Sequence, residues 1–152
     1  MAYTEKEFVA SCDFCPRRNG DEVCGTCPKK VLFAEAMQMQ EFLEATPSDN
    51  PAELVSRLGI INTYLARSGF LMAQAQKMQD ETIANIFHLA SEQIVRMSAT
   101  IANKFVMAHA SDVNSLYLLL ERQNRAFVHQ GENLRTQISF AKQEVELQRR
   151  GY

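Results

Sequence analysis

The hydrophobic positions after residue 30 recur every three or four residues, which is the spacing of one face of an α-helix. The clearest helix start follows Asn50, which can cap a helix that has Pro51 in its first turn and Glu53 three residues after the cap. An apolar stripe then runs through Leu54, Leu58, Ile61 and Leu65. Gly69 either ends this helix or is a weak point within a longer one, because an interior glycine costs only about 1 kcal/mol.

Three further helices are predicted from the same periodicity. A short one spans about 31–44, and the most regular apolar stripe of the chain, from Ile83 to Ala108, predicts a long helix packed against another helix. Ser111 and Asp112 offer a cap for a last helix, whose stripe runs from Val113 to Val145. Two such helices cannot bury all of their apolar residues on each other. We therefore predict an all-α long-helix bundle of three to four helices.

The N-terminal segment departs from this pattern because it contains all four cysteines, arranged as two CxxC pairs eight residues apart: Cys12, Cys15, Cys24 and Cys27. Two CxxC turns supply the tetrahedral set of sulfur ligands that zinc prefers. Four protein ligands leave no open position for water, so such a zinc ion is structural. The sequence predicts a small four-cysteine zinc head at residues 1–30 and a helical bundle at 31–152. An iron–sulfur cluster, a disulfide and free thiols are the alternatives.

Two resemblances to known proteins accompany these patterns. The paired CxxC turns, with Pro16, Gly25 and Pro28 beside the cysteines, resemble zinc ribbons and zinc knuckles, which implies a minimal metal-stabilised head. Short motifs in the helices resemble small helical proteins of bacteriophages and prophages. They lie at 64–69, 124–130 and 134–139. This second resemblance implies a viral or mobile-element origin and assigns no functional residue.

Composition narrows the classes of function. The 152 residues carry a formal net charge of −2, spread along the chain, so no strongly basic arm for nucleic acid is present. The most apolar region, from Leu58 to Ala75, is interrupted by Arg67 and other polar residues and is too short for a membrane-spanning helix. The first residues lack the charge and apolar run of a secretion signal. We therefore expect a cytoplasmic protein without a membrane partner.

Catalytic signatures are not found in the sequence. Neither GxxxxGK nor GxGxxG occurs, and the three histidines are not paired at the spacing of metal ligands. His109, Ser111 and Asp112 are close in sequence, but a triad needs a strained nucleophile turn that the sequence does not indicate. We therefore predict that the protein is not an enzyme.

Basic residues flank the metal turns and form the first candidate binding site. They are Arg17, Arg18, Lys29 and Lys30. One interpretation is that they balance the negative charge of a zinc–tetrathiolate centre. The other is a phosphate-binding patch for single-stranded nucleic acid, with Phe14 available to stack on a base.

The second candidate site is the helix face formed by Arg122, Arg125 and His129. This face is either exposed surface with ordinary helical ion pairs, or a contact site for an anionic ligand or for a partner's acidic helix.

Together these patterns favour a non-enzymatic, zinc-stabilised helical module that binds a protein partner, such as a phage accessory or adaptor protein. We expect it to form a homo-oligomer through the stripes at 83–108 and 113–145. Binding of single-stranded nucleic acid by the basic head is an alternative, and its affinity would fall steeply with salt. Sequestration of a small anionic ligand between helices is another, and such a ligand would raise the melting temperature.

The zinc hypothesis makes a direct prediction. Replacing Cys15 or Cys24 with serine should abolish zinc binding and unfold the head, while the helices remain folded, because only the head depends on the metal. Elemental analysis and far-ultraviolet circular dichroism measure the two effects. A serine variant that retains the zinc content of the parent protein would contradict the prediction.

Overall fold

The computed structural model describes residues 8–17 and 26–151, and all regular elements in these ranges are α-helices. The predicted all-α class is therefore confirmed. Three helices form the bundle, and two short ones connect the second to the last. The elements are α1 (Pro28–Glu44), α2 (Pro51–Leu89), α3 (Ser91–Val95), α4 (Ala99–His109) and α5 (Ser111–Arg149).

Helix α2 begins where the sequence predicts. The side chain of Asn50 accepts a hydrogen bond of 2.9 Å from the amide of Ala52, and Pro51 occupies the first helical position. Gly69 does not end the helix, which continues without a break to Leu89. A Cβ atom at Gly69 would lie 3.7 Å from the side chain of Asn124, an ordinary packing distance.

Helices α2 and α5, each of 39 residues, lie antiparallel along most of their length. Polar contacts at two levels show this orientation. Asn124 Nδ2 of α5 donates to Ser68 Oγ of α2 at 3.0 Å, and Gln79 Nε2 of α2 donates to Asn114 Oδ1 of α5 at 3.0 Å. The later residue of α2 thus pairs with the earlier residue of α5. Each helix is about 58 Å long at 1.5 Å per residue, so this pair sets the length of the molecule.

Helix α1 packs beside this pair and runs parallel to α5. Gln123 of α5 donates to the carbonyl of Ala36 at 2.7 Å, and Gln130 donates to the carbonyl of Leu43 at 2.8 Å. The main core lies where the three helices meet. Its buried members include Phe33, Met39, Leu54, Ile61, Leu71, Leu116, Leu120, Phe127 and Leu134. The stripes predicted for α2 and α5 supply most of them.

The long helix predicted across 83–108 is wrong, because the chain turns twice within this range. Helix α2 stops at Leu89, and α4 begins after Ser98, whose side chain caps it by accepting from the amide of Ile101. The buried positions also differ from the predicted stripe: Ile86 and Val106 are buried, whereas Phe87 and Ile101 are at least half exposed. The physical reason is that α5 returns antiparallel to α2, so the intervening chain has to reverse direction.

The C-terminus of α1 is held by side chains from the other two helices. Arg57 Nη2 of α2 donates to the carbonyls of Phe42 and Ala45 at 2.9 and 3.0 Å, and its guanidinium lies 4.3 Å from the centre of the Phe42 ring. Helices leave their last carbonyls unpaired, and a cation there also interacts favourably with the helix dipole. Arg57 therefore caps the C-terminus of α1 and joins α1 to α2.

Among the described helices, none combines the length and apolar character that crossing a lipid bilayer requires.

Replacing Arg57 with leucine should lower the free energy of unfolding by about 1–2 kcal/mol, because two carbonyls at the end of α1 lose a charged donor. Arg135 of α5, which is exposed, provides the control. Its replacement with leucine should change stability by less than about 0.5 kcal/mol. Urea denaturation followed by circular dichroism measures both, and equal effects of the two substitutions would contradict the proposed cap.

Candidate metal head and cationic face

The first cysteine pair lies on a turn. The amide of Cys15 donates to the carbonyl of Cys12 at 3.3 Å, so the turn is closed across Asp13 and Phe14. Cys27 occupies the N-cap position of α1, directly before Pro28, and its side chain makes no capping hydrogen bond. The predicted boundary at residue 30 therefore falls inside α1, which begins at the last cysteine of the motif.

The complete four-cysteine centre cannot be built from the described residues, because Cys24 lies outside them. Within residues 8–17 and 26–151, no three histidine, cysteine or acidic side chains are grouped so that they could hold a metal ion. Cys12, Cys15 and Cys27 form no disulfide with one another, so their thiols are free to act as ligands. The zinc centre stays a prediction.

A buried ion pair fastens the cysteine-bearing segment to the bundle. Lys29 Nζ at the start of α1 lies 2.7 Å from Asp112 Oδ2 at the start of α5, and both side chains are almost fully buried. Lys29 Nζ also donates to the carbonyl of Ser11 at 2.7 Å, and the amide of Ser11 donates to Asp112 Oδ2 at 2.9 Å. Ser11 immediately precedes Cys12, so this network fixes the position of the first cysteine turn.

Asp112 does not cap α5 as the sequence predicts. The N-cap residue is Ala110, and no side chain caps this end. The carboxylate of Asp112 instead accepts from Lys29, from Ser11 and from the amide of Val113 at 2.8 Å. A buried lysine needs an anionic partner, which explains why the acidic residue faces inward here.

Phe14 anchors the same turn to a second, smaller core. Its ring lies 4.8 Å from that of His109, and its carbonyl accepts from Asn85 Nδ2 at 3.2 Å. Phe14 packs against the buried cluster of Ile86, Val106, Ala110 and Val113. The ring is partly buried and used for packing against this core, which leaves less of it to stack on a nucleic-acid base.

The four basic residues predicted to bind anions do not share one surface. Lys29 is buried in the ion pair with Asp112, so its amine is directed into the protein. Lys30 and Arg17 are exposed, whereas Arg18 lies outside the described residues. Burial of Lys29 removes one of the four charges from the proposed phosphate-binding patch.

Arg122, Arg125 and His129 all lie on the exposed side of α5. Arg125 pairs with Glu121 at 2.8 Å, and His129 Nδ1 lies 3.7 Å from Glu132 Oε2. The contact of Arg125 with Glu121 is the ordinary helical ion pair expected of an exposed face. We call the three residues together the cationic face.

Arg122 differs from its two neighbours because it lies between two surface cavities. One cavity, of about 440 Å³, is lined by the N-terminal segment, α1 and α5, and includes Phe8, Phe33 and Leu118. The other, of about 430 Å³, lies between α1 and α5 and includes Met37 and Ala126. Arg122 and Leu119 line both cavities. The predicted face thus adjoins concave, largely apolar surface that periodicity alone could not reveal.

The polar character of α5 between residues 121 and 130 has a structural cause that the sequence analysis missed. Gln123, Asn124 and Gln130 face inward and donate to the carbonyls of Ala36, Leu65 and Leu43, respectively. Acceptors at Ala36 and Gln40 fix the orientation of the Gln123 amide, since only its nitrogen can donate to them. These three side chains therefore set the position of α5 against α1 and α2.

An exposed ion pair joins α1 to α2. Arg67 donates to both carboxylate oxygens of Glu35, at 2.6 and 2.8 Å. The hydrogen bond and charge of Arg67 lower the pKa of Glu35 below its ordinary value of 4.5, although partial burial acts in the opposite direction. A lowered carboxyl pKa stabilises the folded state above pH 4.5, and this contribution is lost as the pH falls through the lowered value.

Comparison with known proteins gives no relative: no protein-family model, no curated protein and no solved structure matches this chain.

Replacing Asp112 with asparagine should lower the free energy of unfolding by about 3 kcal/mol, because it leaves the buried charge of Lys29 without an anion. Replacing both residues, Lys29 with methionine and Asp112 with leucine, should restore much of this loss, since no buried charge remains. Urea denaturation measures these effects.

The exposed pair of Glu35 and Arg67 provides the control. Replacing Glu35 with glutamine should cost less than about 1 kcal/mol, because solvent screens an exposed pair. If Asp112→Asn costs no more than Glu35→Gln, the proposed importance of the buried pair is wrong.

Proposed function

We propose that this protein is a non-enzymatic interaction module that binds an acidic partner protein through the cationic face, with a structural zinc ion stabilising its N-terminal head. The observation that carries the proposal is the position of Arg122. It is exposed, it adjoins two cavities with mixed apolar and polar walls, and no ion pair or hydrogen bond of Arg122 is found within residues 8–17 and 26–151. The phage accessory or adaptor role in this proposal rests on the resemblance of the short helical motifs at 64–69, 124–130 and 134–139.

The chemistry of the cavities indicates what kind of partner fits. Apolar side chains such as Phe33, Met37 and Leu119 line them, while Arg122 supplies the positive charge between them. An amphipathic helix can place apolar residues in such cavities and a carboxylate on the guanidinium. The cavities also contain polar side chains, including Asp112 in the first and Glu44 in the second. Arginine is nevertheless among the residue types that most often dominate the binding energy of an interface.

The zinc head has a place in this proposal because it forms one wall of the first cavity. Phe8 and Val9 line that cavity, and the ring of Phe8 stacks on that of Phe33 at 4.7 Å. Cys12, Cys15, Cys24 and Cys27 would hold the ion, which would supply a rigid cross-link and no chemistry. A metal-fixed turn three residues after Val9 would hold this wall in place.

A non-enzymatic role is supported by the use of the buried polar groups. Lys29, Asp112 and Gln123 lie in the interior, and each bonds to another part of the chain, although the buried Oε1 of Gln123 has no partner among the described residues. These bonds connect separate parts of the chain, so a structural role accounts for them.

Nucleic-acid binding by the head is the alternative hypothesis, and it retains Arg17, Arg18 and Lys30 as possible phosphate contacts. A gel-shift with single-stranded RNA at two salt concentrations distinguishes nucleic-acid binding from binding of a protein partner, because binding to phosphates weakens steeply with salt. Sequestration of a small anionic ligand near Arg125 and His129 is a further alternative. It would appear as thermal stabilisation by that ligand in the absence of any partner protein.

Replacing Arg122 with glutamate should weaken binding of an acidic amphipathic helix at least about tenfold, because a carboxylate would then face a carboxylate. The probe is a fluorescent helical peptide with leucines on one face and glutamates on the other, and fluorescence anisotropy measures its affinity.

Arg135→Glu, on an exposed part of the same helix, is the matched control and should bind like the parent protein. A second peptide with lysines in place of the glutamates should prefer the Arg122→Glu variant. Binding that is absent, or equally affected by both substitutions, would rule out the cationic face as the site.

A further inference from the structure

The second surface cavity, between α1 and α5, has a buried polar atom without a partner in its wall. Gln123 lines this cavity and is 2% exposed. Its side-chain oxygen, Oε1, has no hydrogen-bond partner among the described residues. Most buried polar atoms in proteins are paired, because an unpaired one destabilises the folded chain. Contacts within the described chain therefore leave one acceptor of this wall unused.

Neighbouring hydrogen bonds fix the orientation of the Gln123 amide. Its nitrogen lies 2.7 Å from the carbonyl of Ala36 and 3.1 Å from Gln40 Oε1, and both of these oxygens can only accept. Gln40 is oriented in turn by Glu44, whose carboxylate accepts from Gln40 Nε2 at 2.8 Å. Exchanging the nitrogen and oxygen of Gln123 would place acceptors against each other. Oε1 is therefore the atom that remains for an external donor.

We propose that the acidic partner helix inserts a tyrosine into the second cavity, where the tyrosine hydroxyl donates a hydrogen bond to Gln123 Oε1 after Gln40 has turned outward. This contact rests on the proposed function, because it specifies which residue anchors the partner beside Arg122. It makes Gln123 the residue that selects the partner's anchor.

Tyrosine matches both the apolar and the polar part of the cavity wall. Met37, Leu43 and Leu119 supply apolar surface for an aromatic ring. The volume of about 430 Å³ falls within the roughly 300–1,000 Å³ of typical ligand pockets, so one aromatic side chain fits. The hydroxyl lies at the far end of the tyrosine ring, whereas the indole N–H of tryptophan lies at the side of its ring. Tyrosine therefore carries a donor furthest into the cavity.

Gln40 is the side chain whose movement opens this site. Oε1 is covered in the free protein, so a donor reaches it only when a neighbouring group moves. Gln40 lines the same cavity, is half-buried, and bonds to Glu44, which is exposed. Side chains near the surface change rotamer readily. After Gln40 turns outward, the bond to the Ala36 carbonyl still holds the Gln123 amide in place.

The charges in the same wall indicate where the partner carries its carboxylate. Arg122 is exposed and lines the cavity next to Gln123, whereas Glu44 lies on the α1 side and would repel a second carboxylate. A glutamate one helical turn from the tyrosine lies on the same face of the partner helix, so it can pair with the guanidinium of Arg122. The partner is therefore recognised by a tyrosine and a glutamate three or four residues apart.

Two helical peptides that differ by one hydroxyl group test the contact. Both carry leucines on one face and glutamates on the other, and the central apolar residue is tyrosine in one and phenylalanine in the other. The parent protein should bind the tyrosine peptide about tenfold more tightly, because phenylalanine leaves Oε1 unpaired. Fluorescence anisotropy measures both affinities.

Replacing Gln123 with leucine should remove this preference, because the tyrosine hydroxyl would then be buried against an apolar side chain. The matched control is Gln40→Ala, which removes another polar side chain of the same wall but leaves Oε1 in place. Its preference for the tyrosine peptide should be at least as large as that of the parent protein. Circular dichroism establishes that both variants are folded.

Equal affinity of the parent protein for the two peptides would overturn the tyrosine contact, and so would a preference that persists in Gln123→Leu. In both cases Arg122→Glu would still weaken binding if the proposed function is correct, so the two hypotheses are distinguishable. Binding of neither peptide by the parent protein would overturn both. If Gln123→Leu does not fold, the parent protein and Gln40→Ala still decide the question, since both retain Oε1.

Discussion

The buried ion pair of Lys29 and Asp112 joins three parts of the chain that are far apart in sequence: the cysteine-bearing segment, the start of α1 and the start of α5. Removing two charges from water costs several kcal/mol per ion, and geometry has to compensate for this cost. Here the backbone of Ser11 bonds to both members, and Val113 bonds to the second carboxylate oxygen. The pair is therefore surrounded by matched donors and acceptors, and the position of the N-terminal segment follows from it.

Local signals predicted the parts of the fold that local chemistry decides. The cap at Asn50, the stripe of α2 and the stripe of α5 from Val113 to Leu134 were predicted from the sequence, because capping and helical periodicity act over a few residues. Val145, at the end of the predicted α5 stripe, is 45% exposed. The single helix predicted across 83–108 is wrong because apolar spacing continues through a chain reversal, in which Ser98 caps a new helix. The pairing of Lys29 with Asp112 connects residues 83 apart, so no local pattern could indicate it.

Some features of the candidate site also follow from local patterns, whereas others depend on contacts between distant segments. Spacing identified the cysteines, and helical geometry correctly placed Arg122, Arg125 and His129 on one exposed side of α5. It could not show that Arg122 adjoins two cavities, because their walls come from different helices. Nor could it show that Lys29 and Phe14 point inward, since basic and aromatic residues near a metal motif are equally suited to binding and to packing.

The hydrogen bonds that cap the C-terminus of α1 affect the order in which the chain folds during translation. Residues emerge from the ribosome from the N-terminus onward, and an isolated helix of 17 residues is marginal in water. The final carbonyls of α1 acquire Arg57 only after α2 has begun, and Gln130 only when most of α5 exists. Phe33 and Met39 consequently stay without part of their packing partners until α5 has been synthesised, so α1 remains accessible to aggregation and proteolysis until then.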